Sequence, residues 1–409
     1  MNGMITVEEA LSRVLASAAP PLGEEQVALE AAYGRTLSRD LAALRTQPPF
    51  ANSAMDGYAV RAADTSKAPA TLIVVGESAA GRAFSGIVGP GEAARIFTGA
   101  PVPDGADAII VQENVRRDGN RIVLDSALPV GDNLRPAGLD FSIGEVLIPA
   151  GRRLTPRDVA LAAAANHADL PVRRCARVAI LATGDELLPP GAKSGPSQII
   201  ASNNFAVAGV VDAAGGIAID LGIAGDRMDA LNKAIQRAIE ERADVLVTLG
   251  GASVGDYDLV QTALVGAGMD LGFWRIAMRP GKPLMHGRLG GMRVLGLPGN
   301  PSSSTVCAIL FLRPLLRALH GEPGAGVDPA QPARLAVDLP GNGPRQDYMR
   351  TAVSRDAEGI LFATPAESQD SSLVKVMARA DGLIVRAPRA EPAKAGDPCR
   401  VIQFHEFGV

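Results

Sequence analysis

Between residues 244 and 305, three loops rich in glycine and proline follow one another at short intervals, with the sequences LGGASVGDYD, RPGKPLMHG and LPGNPSSST. Two of them follow short apolar runs of strand character, and the last opens onto CAILFLRPLL, an apolar run of helical length. We expect all three to end strands of one sheet, at the edge where open parallel sheets bind ligands. This part of the chain is therefore constrained to an α/β fold with a site at one edge.

The same loops carry acidic, basic and hydroxyl side chains, namely Asp256, Asp258, Arg279, Lys282, Ser302, Ser303 and Ser304. A strand that runs through a glycine-rich turn into a helix presents backbone N–H groups, which favour an anion. Glycine and proline are also ordinary turn residues, and most such loops in α/β proteins bind nothing. Three of them within about sixty residues favour a functional site. We expect it to take an anionic ligand together with a divalent metal.

The composition is that of a globular protein without a basic surface. The chain has 409 residues, enough for roughly two to four domains. Apolar residues make up 47% and charged residues 21% of it, which excludes a disordered chain. The formal net charge of −4 gives none of the basic footprint that nucleic-acid-binding proteins need. We therefore expect no nucleic-acid partner.

The cysteines and the N-terminus predict a soluble, cytoplasmic protein. Cys175, Cys307 and Cys399 lack CxxC spacing and form no zinc pattern with the histidines, so we expect inert thiols in a reducing compartment. Charged residues interrupt the apolar period near the N-terminus, unlike a signal peptide. No stretch approaches the ~18 to 20 continuous apolar residues of a membrane span. We expect no membrane partner.

Changes in sequence texture predict a four-part architecture. Its predicted parts are a helical and linker domain (1–47 and 142–175), an inserted β-domain (48–141), an α/β domain (176–322) and a C-terminal β-domain (330–409). Residues 4–46 have a helical pattern with a capping box, Thr6 followed by Glu9. TPRDVALAAAANHA is again helical, with Thr155 as N-cap. Packing of these two helical pieces on each other would make the first β-domain an insertion.

Each remaining part has its own periodicity. The runs TLIVVGES, EAARIFTGA, DAIIVQENV and NRIVLDS predict strands of the inserted domain. In the doubly wound α/β domain, ARVAILATG and DVLVTLGG are typical of buried parallel strands, and NFAVAGVVDAAG and DALNKAIQRAIEERA of helices. After the linker HGEPGAGVDPAQPA, the runs RLAVDLPG, TAVSRD, GILFATPA, GLIVRAP and CRVIQF predict the second small β-domain.

Four polar residues in loops outside the glycine-rich segment are further candidates for a site. Asp56 lies in FANSAMDGYAV, where an Asx turn is the alternative explanation for Asp-Gly. Thr98 ends a strand in IFTGAPVPDGADAIIVQE, and Asp140 lies in the loop RPAGLDFSIGEVLIPAG. Glu186 follows the first strand of the α/β domain in ATGDELLPPG, where the prolines weaken helix capping and favour an exposed acidic loop.

These segments, in order with GGASVGDYD, RPGKP, LPGNPSSS and QDSSLVKVMARADGLI, resemble the molybdopterin molybdenumtransferases, the MoeA and gephyrin E-domain family. The resemblance runs from near residue 6 to the C-terminus, and the ordered combination is highly specific. It implies a homodimer that inserts molybdate into adenylylated molybdopterin, with Mg²⁺-dependent hydrolysis of the adenylate and release of AMP and molybdenum cofactor. It also implies a MogA-like α/β domain that binds the pterin nucleotide, and a barrel-like C-terminal β-domain that closes over it. Molybdopterin adenylyltransferase would be the upstream donor.

The resemblance further implies roles for individual residues. Glu186, Asp226 and Asp258 would be metal ligands, since carboxylate oxygens suit Mg²⁺, with Asp256 as the alternative to Asp258. The catalytic side chains would be Asp56, Thr98, Asp140, Glu186, Asp258, Arg279 and Lys282. The residues that bind the pterin nucleotide or molybdate would be Gly250, Gly251, Ser253, Gly255, Arg275, Pro298, Gly299, Asn300, Pro301, Ser303, Arg345, Arg350, Ser371 and Ser372. Arg345 or Arg350, and Ser371 or Ser372, would contact the oxyanion.

One departure from the family and two alternative functions accompany this assignment. Bacterial relatives often have lysine where this chain has Arg275 and Arg279, so a planar fork replaces a mobile ammonium and the charge is kept. The alternative for both arginines is a solvated rim. A nonenzymatic molybdopterin carrier or scaffold of the same fold is one alternative function, against which the intact set of acidic residues speaks. A tungstate-inserting homologue is the other, because the two oxyanions are nearly identical in size and charge.

Overall fold

The computed structural model of the chain describes residues 4–251 and 259–408. Its N-terminal region contains helix α1 (Val7–Ala16), strand β1 (Glu24–Ala28), a 3₁₀ turn (Leu29–Ala31) and strand β2 (Leu41–Ala42). The prediction that residues 4–46 are helical is therefore wrong beyond Ala16. Prolines at positions 20 and 21 lack the N–H that a helix needs, and β1 pairs with residues 169–173 instead.

Helix α1 packs on the α/β domain and not, as expected, on the helix of TPRDVALAAAANHA. Its N-cap Thr6 accepts a hydrogen bond from the backbone N–H of Glu9 at 3.1 Å, while the Glu9 carboxylate pairs with Arg13. Only half of the predicted capping box therefore forms. The buried side chains of Val7 and Val14 belong to the same apolar cluster as the core of the α/β domain.

The inserted domain is built on one six-stranded sheet, which confirms the β-like runs. Its elements are β3 (Asn52–Ser53), β4 (Gly57–Val60), α2 (Ala62–Thr65), β5 (Ala70–Ser78), β6 (Glu92–Ile96), β7 (Ala108–Val111), a 3₁₀ turn (Gln112–Asn114), β8 (Val115–Asp118), β9 (Arg121–Leu124) and β10 (Leu134–Arg135). The sheet order is β7-β4-β6-β5-β9-β8, and β3 pairs with β10 beside it. One face of the sheet buries Tyr58, Leu72 and Ile110 in a small core.

Three elements then return the chain to the region of β1 and β2. They are β11 (Val146–Ile148), α3 (Pro156–Ala164) and β12 (Asp169–Arg173). Helix α3 begins as predicted, with Thr155 and Asp158 forming a reciprocal capping box. Strand β11 pairs with β2 and β12 pairs with β1, so the chain on both sides of the inserted domain shares one core.

The α/β region alternates strands and helices. Its elements are β13 (Arg177–Thr183), β14 (Leu187–Leu188), β15 (Ile199–Ile200), α4 (Asn203–Ala213), β16 (Ile217–Ala224), α5 (Met228–Glu240), β17 (Val245–Leu249), α6 (Leu259–Gly266), β18 (Asp270–Phe273), β19 (Met278–Arg279), β20 (Met285–Leu289), β21 (Met292–Leu297), α7 (Pro301–Cys307) and α8 (Arg313–Leu319). A π-helical segment (Ala308–Leu312) joins α7 to α8.

The central sheet has the order β16-β13-β17-β21-β20-β18, and its first four strands are parallel. Apolar clusters cover both faces, with α4, α7 and α8 on one and α5 and α6 on the other. This confirms the predicted doubly wound α/β domain. From β13 the chain first moves to β16 on one side and then to β17 on the other. The strand order thus reverses between β13 and β17, and such a reversal opens a crevice at the carboxyl ends of the strands.

One long helix lies at the centre of the α/β domain. Between Pro301 and Leu319 it is long and apolar enough to cross a membrane, but 78% of its apolar window is buried inside the protein. Phe311, Leu315 and Leu316 are fully buried there. The segment is therefore a core helix, on which the C-terminal tail also rests through a 4.0 Å contact between the Arg313 guanidinium and the Phe407 ring.

The C-terminal domain is a small closed barrel, as predicted. Its elements are β22 (Gln331–Leu335), β23 (Gln346–Arg355), β24 (Leu361–Pro365), α9 (Val374–Arg379), β25 (Gly382–Arg386), β26 (Pro398–Gln403) and a 3₁₀ turn (Phe404–Phe407). Strands β23-β24-β22-β26-β25 pair in turn, and β25 pairs back with β23 to close the ring.

Strand β19 corrects the expectation that all three glycine-proline loops end strands of one sheet. The loops GGASVGDYD and LPGNPSSS do follow β17 and β21 of the central sheet. The RPGKP loop instead begins in β19, which pairs in parallel with β23 of the barrel. Proline at position 280 lacks a ladder N–H and limits the strand to two residues. The α/β domain and the barrel are therefore joined by a backbone ladder.

Candidate functional site

Glycines line the carboxyl ends of three neighbouring strands of the central sheet. Gly184 follows β13, Gly250 and Gly251 follow β17, and Gly299 follows β21. Gly250 has a φ of +97°, and a Cβ there would lie 2.7 Å from the carbonyl oxygen of Thr183, so only glycine fits. We call these four glycines the glycine edge. The edge lies at the reversal of strand order, where close approach of a ligand to the backbone is possible.

Carboxylates crowd beside the glycine edge at the ends of β13 and β16. The Asp185 carboxylate accepts a hydrogen bond from the backbone N–H of Asp226 at 3.0 Å. Burial, followed by the negative charges of Asp185 and Glu186, raises the pKa of the Asp226 carboxyl. Excess negative charge of this kind, on oxygen ligands, suits a hard divalent cation.

The predicted metal ligands are only partly described by the structure. Glu186 and Asp226 lie together, as their electrostatic interaction requires. Asp258, with Ser253, Gly255 and Asp256, lies outside the described residues. Within residues 4–251 and 259–408, no group of three acidic, histidine or cysteine side chains is arranged to hold a metal ion. The carboxylate pair at β13 and β16 is thus the part of the predicted metal site that the structure places.

The LPGNPSSS loop is tied both to the glycine edge and to the barrel. The Asn203 side chain donates a 2.7 Å hydrogen bond to the carbonyl oxygen of Gly299. Asn300 Nδ2 donates to Ser371 Oγ at 2.8 Å, and the backbone N–H of Ser302 donates to the Ser371 carbonyl at 3.0 Å. The loop that contains Ser371 therefore sits on the N-terminus of α7, where the helix leaves N–H groups open.

A separate cavity of about 270 Å³ lies where β19 meets the barrel. Its wall is formed by Arg279, Pro280, Leu339, Pro340, Gly341, Asn342, Gly343, Asp347, Tyr348, Met349, Arg350, Gln369 and Arg386. Three of its four charged residues are arginines, so we call it the arginine pocket. A wall with three guanidinium groups suits a small oxyanion, because each group can donate two parallel hydrogen bonds.

Arg350 is the most constrained of these arginines. It is 1% exposed, and one guanidinium nitrogen donates to the Asp370 carbonyl at 3.2 Å. Its backbone N–H and carbonyl are both bonded by the Gln369 side chain, at 2.9 and 3.0 Å. Burial, with the charge of Arg279 second, lowers the pKa of Arg350. Its Nε has no hydrogen-bond partner within residues 4–251 and 259–408, and a buried donor left unpaired is costly unless a ligand uses the group.

Among the described residues in the wall of the arginine pocket, Asp347 is the one carboxylate. It lies directly opposite Arg279 in the β19–β23 ladder and directly opposite Arg386 in the β23–β25 ladder. The nearest Arg279 nitrogen is 4.0 Å from its carboxylate. Burial raises the pKa of Asp347, although Arg279, Arg345 and Arg386 oppose the shift. The order arginine, aspartate, arginine therefore runs across three adjacent strands.

The other predicted oxyanion residues are spread around this pocket. Arg275 stacks its guanidinium on the Trp274 ring at 4.7 Å and does not line the cavity. Lys282 and Arg345 are half-buried and lie close in sequence to wall residues, but they do not line the arginine pocket. Ser303 is buried inside α7. Ser372 donates to the Asp370 carboxylate, and its backbone N–H bond in particular lowers the pKa of that group.

Asp56 and Thr98 form a pair within the inserted domain. Both the backbone N–H and the hydroxyl of Thr98 donate to one carboxylate oxygen of Asp56, at 2.8 Å each. The backbone bond is the main reason why the pKa of Asp56 is lowered. Asp140 is an exposed residue of another loop, whose N–H bonds to the carbonyl of Gln47. The structure thus brings Asp56 and Thr98 together, while the Asp140 backbone is bonded to Gln47 in a different loop.

Comparison with known proteins supports the same reading of the whole chain. Family models for the MoeA N-terminal region (domain I and II), a probable molybdopterin binding domain and the MoeA C-terminal region (domain IV) match residues 5–166, 179–318 and 332–404. A molybdopterin molybdenumtransferase of Haemophilus influenzae is 33% identical over 405 residues, which are 99% of this chain and 100% of that protein. The chain belongs to the MoeA family.

Two further proteins are similar to almost the whole chain. A molybdopterin molybdenumtransferase of Bacillus subtilis is 34% identical over 98% of this chain and 94% of its own length. The crystal structure of a molybdopterin biosynthesis MoeA protein from Pyrococcus horikosii matches 98% of this chain and 99% of that chain, with 32% identity and a TM-score of 0.85. The resemblance expected from the ordered motifs is therefore confirmed.

Sequence reasoning missed part of the arginine pocket. Asp347, Gln369 and Arg386 were not candidates, although the first two flank the chosen Arg345, Arg350 and Ser371. Arg386 ends the run GLIVR, and its side chain is 7% exposed with Nη2 donating to the Glu391 carbonyl at 2.6 Å. An arginine within an apolar strand was the available signal, because such a side chain is rarely buried without a purpose.

Proposed function

We propose that this MoeA protein is a molybdopterin molybdenumtransferase that inserts molybdate into adenylylated molybdopterin, hydrolyses the adenylate and releases AMP and molybdenum cofactor. The observation that carries the proposal is the full-length similarity to molybdopterin molybdenumtransferases, at 33% identity over 99% of the chain. The two parts of the site agree with it in chemistry. The glycine edge lets phosphates approach the backbone closely, and the arginine pocket offers guanidinium groups to a tetrahedral oxyanion.

We assign molybdate to the arginine pocket. Arg350 has a buried guanidinium with an unpaired donor, and Arg279 and Arg386 lie in the same wall. Of the alternatives left open by the motifs, Arg350 is therefore favoured over Arg345, which is outside the wall. Ser371 is favoured over Ser372, because its hydroxyl meets Asn300 between pocket and glycine edge while that of Ser372 is bound to Asp370.

We assign Mg²⁺ to the carboxylates at the ends of β13 and β16. Glu186 and Asp226 would hold it, with Asp258 as the third ligand. The donor set fits, because crowded carboxylates are relieved by a hard divalent cation. When bound, the ion neutralises charge on the scissile phosphate. The protein's own share is to hold the phosphates against the glycine edge and the oxyanion in the arginine pocket.

AMP release tests the activity directly. Purified protein, adenylylated molybdopterin, molybdate and Mg²⁺ should release AMP, and omission of molybdate or chelation of Mg²⁺ should stop the release. A folded protein that releases no AMP under these conditions would leave the carrier or scaffold as the better function. Tungstate in place of molybdate, alone and in competition, distinguishes the tungstate-inserting alternative by the anion that supports faster release.

We also propose a cytoplasmic homodimer whose substrate is delivered by a molybdopterin adenylyltransferase. Asp56 and Thr98 are paired with each other on the surface of the inserted domain, so they are available to a second copy. Mixing an Asp56→Asn variant with an Arg350→Lys variant tests whether subunits share sites. Shared sites predict that the mixture recovers up to about a quarter of the wild-type rate. No recovery, in a mixture that forms heterodimers, would place each site within one chain.

A further inference from the structure

The arginine pocket contains a negatively charged residue as well as positively charged ones. Its described wall contains Arg279, Arg350 and Arg386 with one carboxylate, Asp347, which leaves a net charge of +2. Asp347 is 8% exposed, and it belongs to the wall of the cavity in which an anion would bind. A buried negative charge beside an anion is unfavourable, and most strongly so for an anion with two charges. Its presence therefore needs a reason.

Simple anchoring of Arg279 is a weak reason. The closest approach between the Arg279 guanidinium and the Asp347 carboxylate is 4.0 Å, and the Arg279 side chain is 58% exposed. An ion pair with that geometry contributes little, because solvent screens it and the long side chain loses freedom. Arg386, on the other side of Asp347, already donates to the backbone carbonyl of Glu391. Neither arginine depends on Asp347 for its place.

We propose that Asp347 sets the strength of anion binding in the arginine pocket: its carboxylate limits the net charge opposite a tetrahedral dianion and keeps that dianion loosely held. The inference rests on the proposed function, since it takes this pocket as the molybdate site. Its structural basis is the arginine, aspartate, arginine order across β19, β23 and β25, where directly paired residues share one face of the sheet. Without Asp347 the described wall would contain three arginines and no carboxylate, and the pocket would hold dianions too tightly for transfer.

The test uses two tetrahedral oxyanions of different charge, sulfate with two charges and perchlorate with one. Their affinities, and that of molybdate, are measured by calorimetric titration of the full chain and of Asp347→Asn. The amide keeps the size of the side chain and removes its charge. We expect sulfate and molybdate to bind about tenfold more tightly to the variant. Perchlorate, with half the charge, should gain the square root of that factor, about threefold. Asp338→Asn is the matched control, because Asp338 is an exposed barrel carboxylate paired with Lys394; it should change none of the affinities.

A second measurement needs no substitution. The charged groups that act on Asp347 are Arg279 on β19, Arg345 on β23 and Arg386 on β25. Arg350 instead interacts with Arg279 and with Asp370 in the neighbouring loop. The arginines stay protonated, and the lowered pKa of Asp370 keeps it ionised. Protonation of Asp347, whose pKa is raised by burial, should therefore tighten sulfate binding as the pH falls from neutral into the acid range where carboxyl groups titrate. Asp347→Asn should lose that pH dependence.

The outcomes separate this inference from the proposed function. Sulfate and molybdate affinities that are unchanged or weaker in a folded Asp347→Asn variant would overturn the inference, as would equal gains for sulfate and perchlorate. If the variant does not fold, a wild-type sulfate affinity that is independent of pH overturns it instead. A protein that shows the expected charge-selective gain but releases no AMP would contradict the transferase assignment and uphold the role of Asp347. A wild-type protein that binds none of the oxyanions contradicts both.

Discussion

The glycine edge and the arginine pocket solve the same problem, holding an anion, by opposite means. The edge uses backbone at the ends of adjacent parallel strands, where Gly184 and Gly250 keep side chains out. The pocket uses charged side chains from three segments, at residues 279, 347–350 and 386, which meet only when β19 reaches the barrel. Backbone donors form a site of fixed shape, whereas charged side chains set how strongly and how selectively the site binds. Substitutions in the two regions should therefore fail in different ways.

The largest effect is expected from Arg350→Lys in the pocket. Lysine keeps the charge and loses the planar fork, and a buried charge-assisted bond is worth about 2–3 kcal/mol. Molybdate-dependent AMP release should fall roughly 100-fold, with a higher molybdate requirement and little change in AMP affinity. Arg355→Lys, on the exposed end of the same strand β23, is the control and should keep its activity. Wild-type turnover by the Arg350→Lys protein would contradict the assignment of the oxyanion to this pocket.

Gly250→Ala should damage the glycine edge through the backbone. A methyl group would meet the Thr183 carbonyl at 2.7 Å, at a φ of +97° that L-residues avoid. We expect the free energy of unfolding, measured in urea, to be about 2 kcal/mol lower in the variant. AMP should bind more weakly, and the affinity for sulfate should be unchanged. Gly209→Ala in helix α4 has open space around it and should be neutral or stabilising by up to about 1 kcal/mol. Equal loss of sulfate and AMP binding would mean that the two regions are not distinct.

A smaller effect measures how the two regions are coupled. Asn300 of the edge and Ser371 of the barrel share a 2.8 Å hydrogen bond. In a double-mutant cycle of Asn300→Ala and Ser371→Ala, the free energies of unfolding should be non-additive by about 1 kcal/mol. Asn342→Ala combined with Asn300→Ala is the control pair. It should be additive, because Asn342 bonds to carbonyls within the barrel. If the changes in the free energy of unfolding are additive in both cycles, Ser371 does not couple the glycine edge to the barrel.

The smallest effect concerns Asp226, whose pKa is raised by burial and by the charges of Asp185 and Glu186. As the pH falls, a carboxyl whose pKa is raised by folding takes up its proton in the folded protein first. The ionised group therefore destabilises the folded protein, and this loss of stability grows as the pH rises from the unfolded to the folded pKa. Asp226→Asn should therefore stabilise the metal-free protein at neutral pH, by less than about 1 kcal/mol after screening. Thermal unfolding with and without Mg²⁺ measures this, and the variant should lose stabilisation by Mg²⁺. A destabilised metal-free variant would contradict the sign.

The sequence predicts the regular parts of this fold because they are local. Hydrophobic periodicity and Thr155 capping identify the α/β domain, helix α3 and the barrel strands. The N-terminal region is the main failure, since β1 and β2 find partners more than a hundred residues away in β12 and β11. Intrinsic pattern is a weak guide to a short strand whose pairing is long-range.

The same contrast holds for the site. Gly250, Gly299 and Glu186 follow predicted strands, so their neighbourhood could be predicted from chain topology. Asp347 could not, because it faces Arg279 only through the ladder between β19 and β23. Arg386 left a signal as an arginine in an apolar strand, but its position beside Asp347 depends on the ladder between β23 and β25. A two-residue strand leaves no periodic signal. What escaped prediction was therefore the contact between domains and not the domains themselves.

Strand β19 also limits how this protein can be taken apart. Met278 and Arg279 belong to the α/β segment of the chain, yet their hydrogen-bonded neighbours are in the barrel. An excised α/β domain would retain its central sheet and helices and carry Arg279 on a segment with no strand to pair with. An isolated barrel would lack one wall of its own cavity. When domains are exchanged between relatives, residues 278–280 should therefore be transferred together with the barrel. The residues that bind the oxyanion come from both sides of the domain boundary.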